Sequence, residues 1–276
     1  MIFGSSDLLI TILEDDAGVF SVPSKLWSYY CSGKDEITIT GDAHTNFKLT
    51  QTKNNELLFL SDNNGVFQDS IRVLPNQDSH SRGRGSNGSA LWSVFTTATP
   101  GFNNINPQQE YTATPVFSQI GGYYSSSINV AISSPDPNTS IYYTTNGDFP
   151  DNSSNLYSNP INITNTTVIK AVAYSSSNNI PKSFIEYHTF FINDTHTIPI
   201  LSISGTDVDD LLDGGWGSTS LEPKGTIEWF DKNGVLIDKG MGEFNKHGND
   251  SWAYDQRGFD YIMRDQFGYN YALKDE

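Results

Sequence analysis

The sequence predicts an all-β protein, and three observations carry that prediction. Ser, Thr, Asn, Gly and Tyr are abundant and long helix formers are scarce, while aromatic residues make up 13% of the 276-residue chain. That is a strand-and-loop composition, not a disordered one, because disordered chains lack aromatics. Between Phe117 and Ile192, short apolar runs alternate with polar or small residues. Ile128, Val130 and Ile132 form one such run. Ile169, Ala171 and Ala173 share one face of another, with Lys170 and Val172 on the opposite face. Turn chemistry separates the runs. Asn146-Gly147 tolerates positive φ and is a strong hairpin signal, and Pro135, Pro137, Pro150, Pro160 and Pro181 stand where strand interiors would exclude them. Short strands so punctuated imply a small β-sandwich.

The chain is long enough for two or three domains. From Met1 to about Asn106, Tyr29–Cys31, His44–Leu49, Glu56–Ser61 and Val66–Ile71 read as further β segments, with Asp62-Asn63-Asn64-Gly65 as a turn and Asp78–Arg84 as a polar loop. The apolar run Leu8–Leu13 is too short for a signal peptide and has no basic flank. Residues 107–115 are polar and contain two prolines, which suits a semi-extended linker between the first segment and a central one at 116–194. From residue 195, Ile198–Ile203, Thr226–Phe230 and Val235–Ile237 read as strands, and Asp231-Lys-Asn-Gly234 as the turn between the last two. A separate β-hairpin segment with little helix is expected here.

Composition also excludes functions. The net charge is −16, from 32 acids and 16 bases. Each segment carries more acids than bases, so the footprint that binds a phosphate backbone is absent and a nucleic-acid partner is not expected. No run is long and apolar enough to span a membrane. The single cysteine, Cys31, permits no intrachain disulfide and reads as a core thiol, since Lys34 alone gives thin support for an activated one.

Three family resemblances fit these segments. Tyr123-Tyr124, the Tyr142-Tyr143 pair before Thr145-Asn146-Gly147, Pro150, Tyr157, Pro160-Ile161 and Ile169-Lys170-Ala171 together resemble the chitobiase/β-hexosaminidase C-terminal-like domain. That resemblance implies an Ig-like, non-catalytic module over 116–194, with Tyr123, Tyr124, Tyr142, Tyr143 and Tyr157 where the family packs its core. Ser32-Gly-Lys-Asp35, Thr45–Leu49, Leu60–Gly65, Ser81–Arg84 and Thr96–Gly101 resemble the lamin-tail domain over 1–106. It implies a second Ig-like sandwich whose opening strands are not matched here. Ile198–Ile203, Glu228–Gly234, His247–Ser251 and Arg264–Gly268 look like the start of a CotH-type spore-coat protein kinase. The expected architecture is thus two tandem Ig-like β-sandwiches followed by a partial, β-rich start of a CotH kinase-like domain over 195–276, truncated before its catalytic Asp and metal-binding residues.

Two clusters invite chemistry. His247, Asp250, Ser251 and Arg257 form a polar set that reads as a hydrogen-bonded hairpin or as a nucleotide- or substrate-facing loop, next to an incomplete glycine motif, Gly240-Met-Gly242 with Asn245. Asp207, Asp209, Asp210 and Asp213 offer four carboxylates to a hard cation such as calcium, but lack EF-hand order, and a short helix with acids in its first turn explains them equally. No catalytic residue, confident metal site or cofactor is expected; ATP and magnesium would enter only with a complete kinase-like domain. The expected function is a non-catalytic scaffold or adhesion region of a secreted or surface-attached bacterial protein, with protein or cell-surface glycan partners. A kinase fragment and a carbohydrate-binding accessory module are the alternatives.

Overall fold

The structure, a computed structural model, describes the strands Leu8–Ile12, Trp27–Cys31, Asp35–Ile39 and Leu57–Asp62, and residues 65–72, 74–86, 89–99, 102–213, 221–248, 258–263 and 265–268. The chain divides into two compact units, residues 1–107 and 108–276.

The first unit is built from antiparallel pairs. Leu8–Ile12 (β1) pairs with Leu57–Asp62 (β4), which also pairs with Phe67–Arg72 (β5). Trp27–Cys31 (β2) pairs with Asp35–Ile39 (β3), and Ser81–Arg84 (β6) with Trp92–Phe95 (β7). Leu8–Ile12, within the run too short for a signal peptide, is a sheet strand. One expectation changes. Asp78–Arg84 is not a loop throughout, because Arg82 and Arg84 extend from a strand whose Gly83 lets the Asn104 side chain lie close by. Arg84 holds the unit's end: it pairs with Asp69, donates to the Ala90 carbonyl at 2.7 Å, and lies 4.5 Å from the Trp92 ring centroid. Val94 and Phe95 are buried.

The second unit contains a sandwich. One layer consists of two short antiparallel pairs, Val116–Phe117 (β8) with Ile132–Ser133 (β11) and Ile128–Val130 (β10) with Ile161–Ile163 (β14). The other is a five-stranded sheet in the order β13-β12-β15-β16-β9, formed by Asn155–Leu156 (β13), Thr139–Thr144 (β12), Thr167–Ser175 (β15), Glu186–Ile192 (β16) and Gly122–Tyr124 (β9). Only β9 runs parallel to its neighbour. Val130, Ile132, Ile141, Ile163, Ile169, Ala171, Ala173, Phe190 and Ile192 fill the space between the layers, with Tyr124, Tyr143 and Tyr157 packed against them. The tyrosine expectation fails for Tyr142 and Tyr123. Period-two alternation turns Tyr142 to the far face, edge-on to Tyr174 at 5.6 Å, while Tyr123 packs edge-on to Phe191 at 5.3 Å.

The C-terminal segment does not stand apart. Ile200–Ser204 (β17), Lys224–Phe230 (β18), Leu236–Lys246 (β19) and Phe259–Met263 (β20) form an antiparallel meander. Val208–Asp213 is a short helix (α1) whose Val208 and Leu211 bury against Ile227 and Phe244 on one face of this meander. The opposite face covers the outer face of the five-stranded sheet, with Phe230 edge-on to Phe191 at 5.2 Å. The Asp231–Gly234 turn forms as expected: Asp231 Oδ1 accepts the N–H groups of Asn233 and Val235, each at 2.8 Å, and Gly234 has φ 80°. A Cβ on Gly234 would lie 2.2 Å from the Tyr123 ring, so this turn must be glycine to close on the sandwich. Asn146-Gly147 is a turn with φ 83° at Gly147, but not a hairpin tip. It belongs to the wider loop between β12 and β13, and a Gly147 Cβ would sit 2.9 Å from the Ser204 side chain.

Among the described residues no helix is long and apolar enough to cross a membrane.

Candidate functional site

Several buried ionisable side chains meet between the two sheets of the second unit. Strand alternation puts Lys170 and Thr189 on the outer face of the five-stranded sheet, and Thr226 and Glu228 on the facing side of the meander. All four are buried. Lys170 Nζ donates to the Ser204 carbonyl at 3.2 Å and lies 4.4 Å from the Phe149 ring centroid. Thr189 Oγ1 donates to Glu228 Oε2 and lies 2.7 Å from Ser202 Oγ. Lys239 reaches back from β19 to pair with Glu186, and donates to the Tyr187 carbonyl at 3.0 Å. His188 sits at the margin of this seam. Its Nδ1 accepts the Gly121 N–H at 3.2 Å, which puts its proton on Nε2, 3.2 Å from Glu186 Oε1.

Burial dominates the proton affinities here. It pushes Glu228 up to about 7, against the opposing Thr189 hydrogen bond and the Lys239 charge. It pushes Lys170 down to about 7, against the opposing charges of Glu228 and Asp148. It also lowers His188, which the hydrogen bond to Glu186 only partly offsets. Burial works against ionisation of Glu186, but the His188 N–H and the Lys239 ammonium outweigh it and hold that carboxyl below its ordinary value. The seam therefore holds one ion pair, a neutral imidazole and two groups whose charged forms are disfavoured. This arrangement joins the two sheets.

An open polar groove lies beside it. Thr144, Asn146, Asp148, Phe149, Asp151 and Thr206 are among the residues lining about 580 Å³. Its carboxylates are occupied internally: Asp148 accepts from Asn146 and Thr206, and Asp151 from the Ser153 N–H and hydroxyl. The Phe149 ring has Lys170 on it and stacks on Phe267 at 6.3 Å and 19°, so neither contact leaves it a free platform.

The residues singled out in the sequence lie elsewhere. His247 is at the end of β19, 2.8 Å from Asp260 Oδ1 and largely exposed. Asp250, Ser251 and Arg257 lie outside the described residues, as does the side chain of Cys31. Gly240 and Gly242 are in the interior of β19, not in a phosphate-cradling loop. They are glycine because β20 approaches closely; a Gly242 Cβ would lie 2.2 Å from the Ile262 carbonyl oxygen. Asp209 and Asp210 are in the first turn of α1, Asp213 is its last residue, and Asp207 precedes it with φ 63°. Among the described residues no group of three or more His, Cys, Asp or Glu side chains could hold a metal ion. Sequence reasoning missed Glu228, His188 and Lys239. The one available signal was polar residues at alternate positions of strands that also bear large apolar ones.

An Ig-like β-sandwich with several ionisable groups buried in an inter-sheet seam is the architecture of the second unit. Comparison with known families agrees with the sandwich: the model of the chitobiase/beta-hexosaminidase C-terminal domain matches residues 119–184. The match covers less than a quarter of the chain and suggests a carbohydrate-related accessory module. No curated protein matches the chain.

Proposed function

We propose that this chain is a non-catalytic scaffold or adhesion region of a secreted or surface-attached bacterial protein of the CotH family. The observation that carries it is the seam: Lys170, Glu186, His188, Glu228 and Lys239 are committed to holding the sandwich against the C-terminal sheet. These side chains spend their hydrogen bonds and ion pairs on one another and on backbone, whereas a reaction needs convergent groups at a pocket that a reacting atom can enter. The order of the lamin-tail-like, hexosaminidase-like and CotH-like motifs supports the assignment to that architecture. Labelling of intact source cells with an antibody to this chain tests it. Surface staining lost on protease shaving is expected; a purely intracellular signal refutes it.

Carbohydrate binding is the second reading, favoured by the match at 119–184. Against it stands the engaged Phe149 ring, since sugars dock on free aromatic faces. A glycan array probed with the whole chain separates the two. Specific binding that Asp148→Ala or Asp151→Ala abolishes would favour the carbohydrate module. The kinase-fragment reading concerns a longer domain; phosphate transfer by this chain itself would be seen with labelled ATP and magnesium. None is expected, because Gly240 and Gly242 lie within a strand, where their N–H groups serve the ladder.

A further inference from the structure

Glu228 is almost fully buried, yet its Oε1 has no hydrogen-bond partner, while Oε2 takes the Thr189 hydroxyl. His188 Nδ1 lies 3.8 Å from Oε1. That nitrogen already accepts the Gly121 N–H, so it has no proton to give. Two acceptor atoms therefore face each other across the junction of the two sheets. A buried acceptor pair of this kind is unfavourable unless one carries a proton. The opposing positions are fixed by backbone. Gly121 lies so close to β16 that a Cβ there would be 2.7 Å from the Thr189 carbonyl and 3.3 Å from Glu228 Oε1.

We propose that Glu228 is a proton-operated latch: with a proton on Oε1, facing His188 Nδ1, the C-terminal sheet is clamped to the sandwich, and loss of that proton loosens the seam. The deprotonated state places a carboxylate between the sheets with only the Thr189 donor, and the Lys239 ammonium on the adjacent strand is already engaged by Glu186 and the Tyr187 carbonyl. The other groups in or near the seam whose proton affinities are shifted work differently. Lys170 on β15 and His188 on β16 are both held below their ordinary values, so each makes stability rise with pH. Glu186 is also lowered, and its contribution is complete above the ordinary glutamate range. Tyr187 and Tyr261 are raised by burial and act only at strongly alkaline pH. Glu228 has its folded affinity raised above the unfolded value of 4.5, so its contribution is full below that value and is lost as pH rises through about 7.

The test compares the full chain with Glu228→Gln, which puts a permanent amide donor at the same place. Amide hydrogen exchange of β18, corrected for intrinsic rates, is measured at pH 6 and pH 8. Lys170 feels the Glu228 charge, so the same pair is compared in a Lys170→Met background, where the ratio of protection with Glu228 to that with Gln isolates the latch. It should fall about tenfold over that interval, one decade per pH unit on the linked side. A ratio constant with pH overturns the proposal. A second measurement needs no variant: an NMR titration of the glutamate side-chain carboxyls in the wild-type chain. One buried carboxyl titrating near neutrality, with the β18 amides shifting in step, is expected. All glutamates titrating in the ordinary acidic range overturn it.

Discussion

Replacing Lys170 with methionine should stabilise the protein, and by an amount that depends on pH. The methionine keeps the unbranched stem among the same apolar neighbours and removes the ammonium. Burial moves this lysine from 10.5 to about 7, which corresponds to about 5 kcal/mol disfavouring the charged form. The substitution also removes a charged hydrogen bond to the Ser204 carbonyl, worth about 2 kcal/mol. That carbonyl is not orphaned, because the Thr226 hydroxyl also donates to it at 3.3 Å. The net gain at pH 6 is then about 3 kcal/mol. A lysine with a lowered folded affinity makes wild-type stability rise between about 7 and 10.5, so the advantage of Lys170→Met should shrink by about 1.4 kcal/mol per pH unit in that window. Urea titration followed by amide exchange at Ile169–Ala173, at pH 6 and pH 9, measures both quantities. A variant that is destabilised at pH 6 would refute the reasoning, and would make Lys170 the required counter-charge of Glu228.

Other substitutions probe the geometry. Gly147→Val should cost about 2 kcal/mol, because φ is 83° and the new Cβ meets Ser204; a thermal melt unchanged from wild type would contradict the close packing of that loop. Gly242→Ala should cost about 2–3 kcal/mol, since the obstructing atom is the Ile262 carbonyl and no rotamer relieves it, with faster exchange at β20 as the local sign. Asp231→Ala should accelerate exchange at the Asn233 and Val235 amides. In the wild type the Val235 N–H, with Asn233, holds this carboxyl below its ordinary value, so the turn should persist through mildly acid pH and loosen only as pH falls through that lowered value.

The sequence by itself determined the strands and the turns. Alternation at Ile169, Ala171 and Ala173 placed the core face of β15, Asp231–Gly234 closed the β18–β19 hairpin, and the acids at Asp209 and Asp210 began a helix turn. Each is a local property, set by side-chain period or by backbone conformations open to few residues. Local signals were misleading where a segment's role depends on distant chain. Asn146-Gly147 looked like a hairpin tip and Gly240-Met-Gly242 like part of a phosphate loop; their glycines answer to Ser204 and to β20. Tertiary structure alone decided the seam. In the sequence, Lys170 and Glu228 look like polar residues on the solvent face of a strand, because an alternating pattern names the two faces without saying what covers each. The meander buries the second face of the sheet, and desolvation then turns two ordinary surface charges into the groups whose proton occupancy governs how firmly the sheets hold.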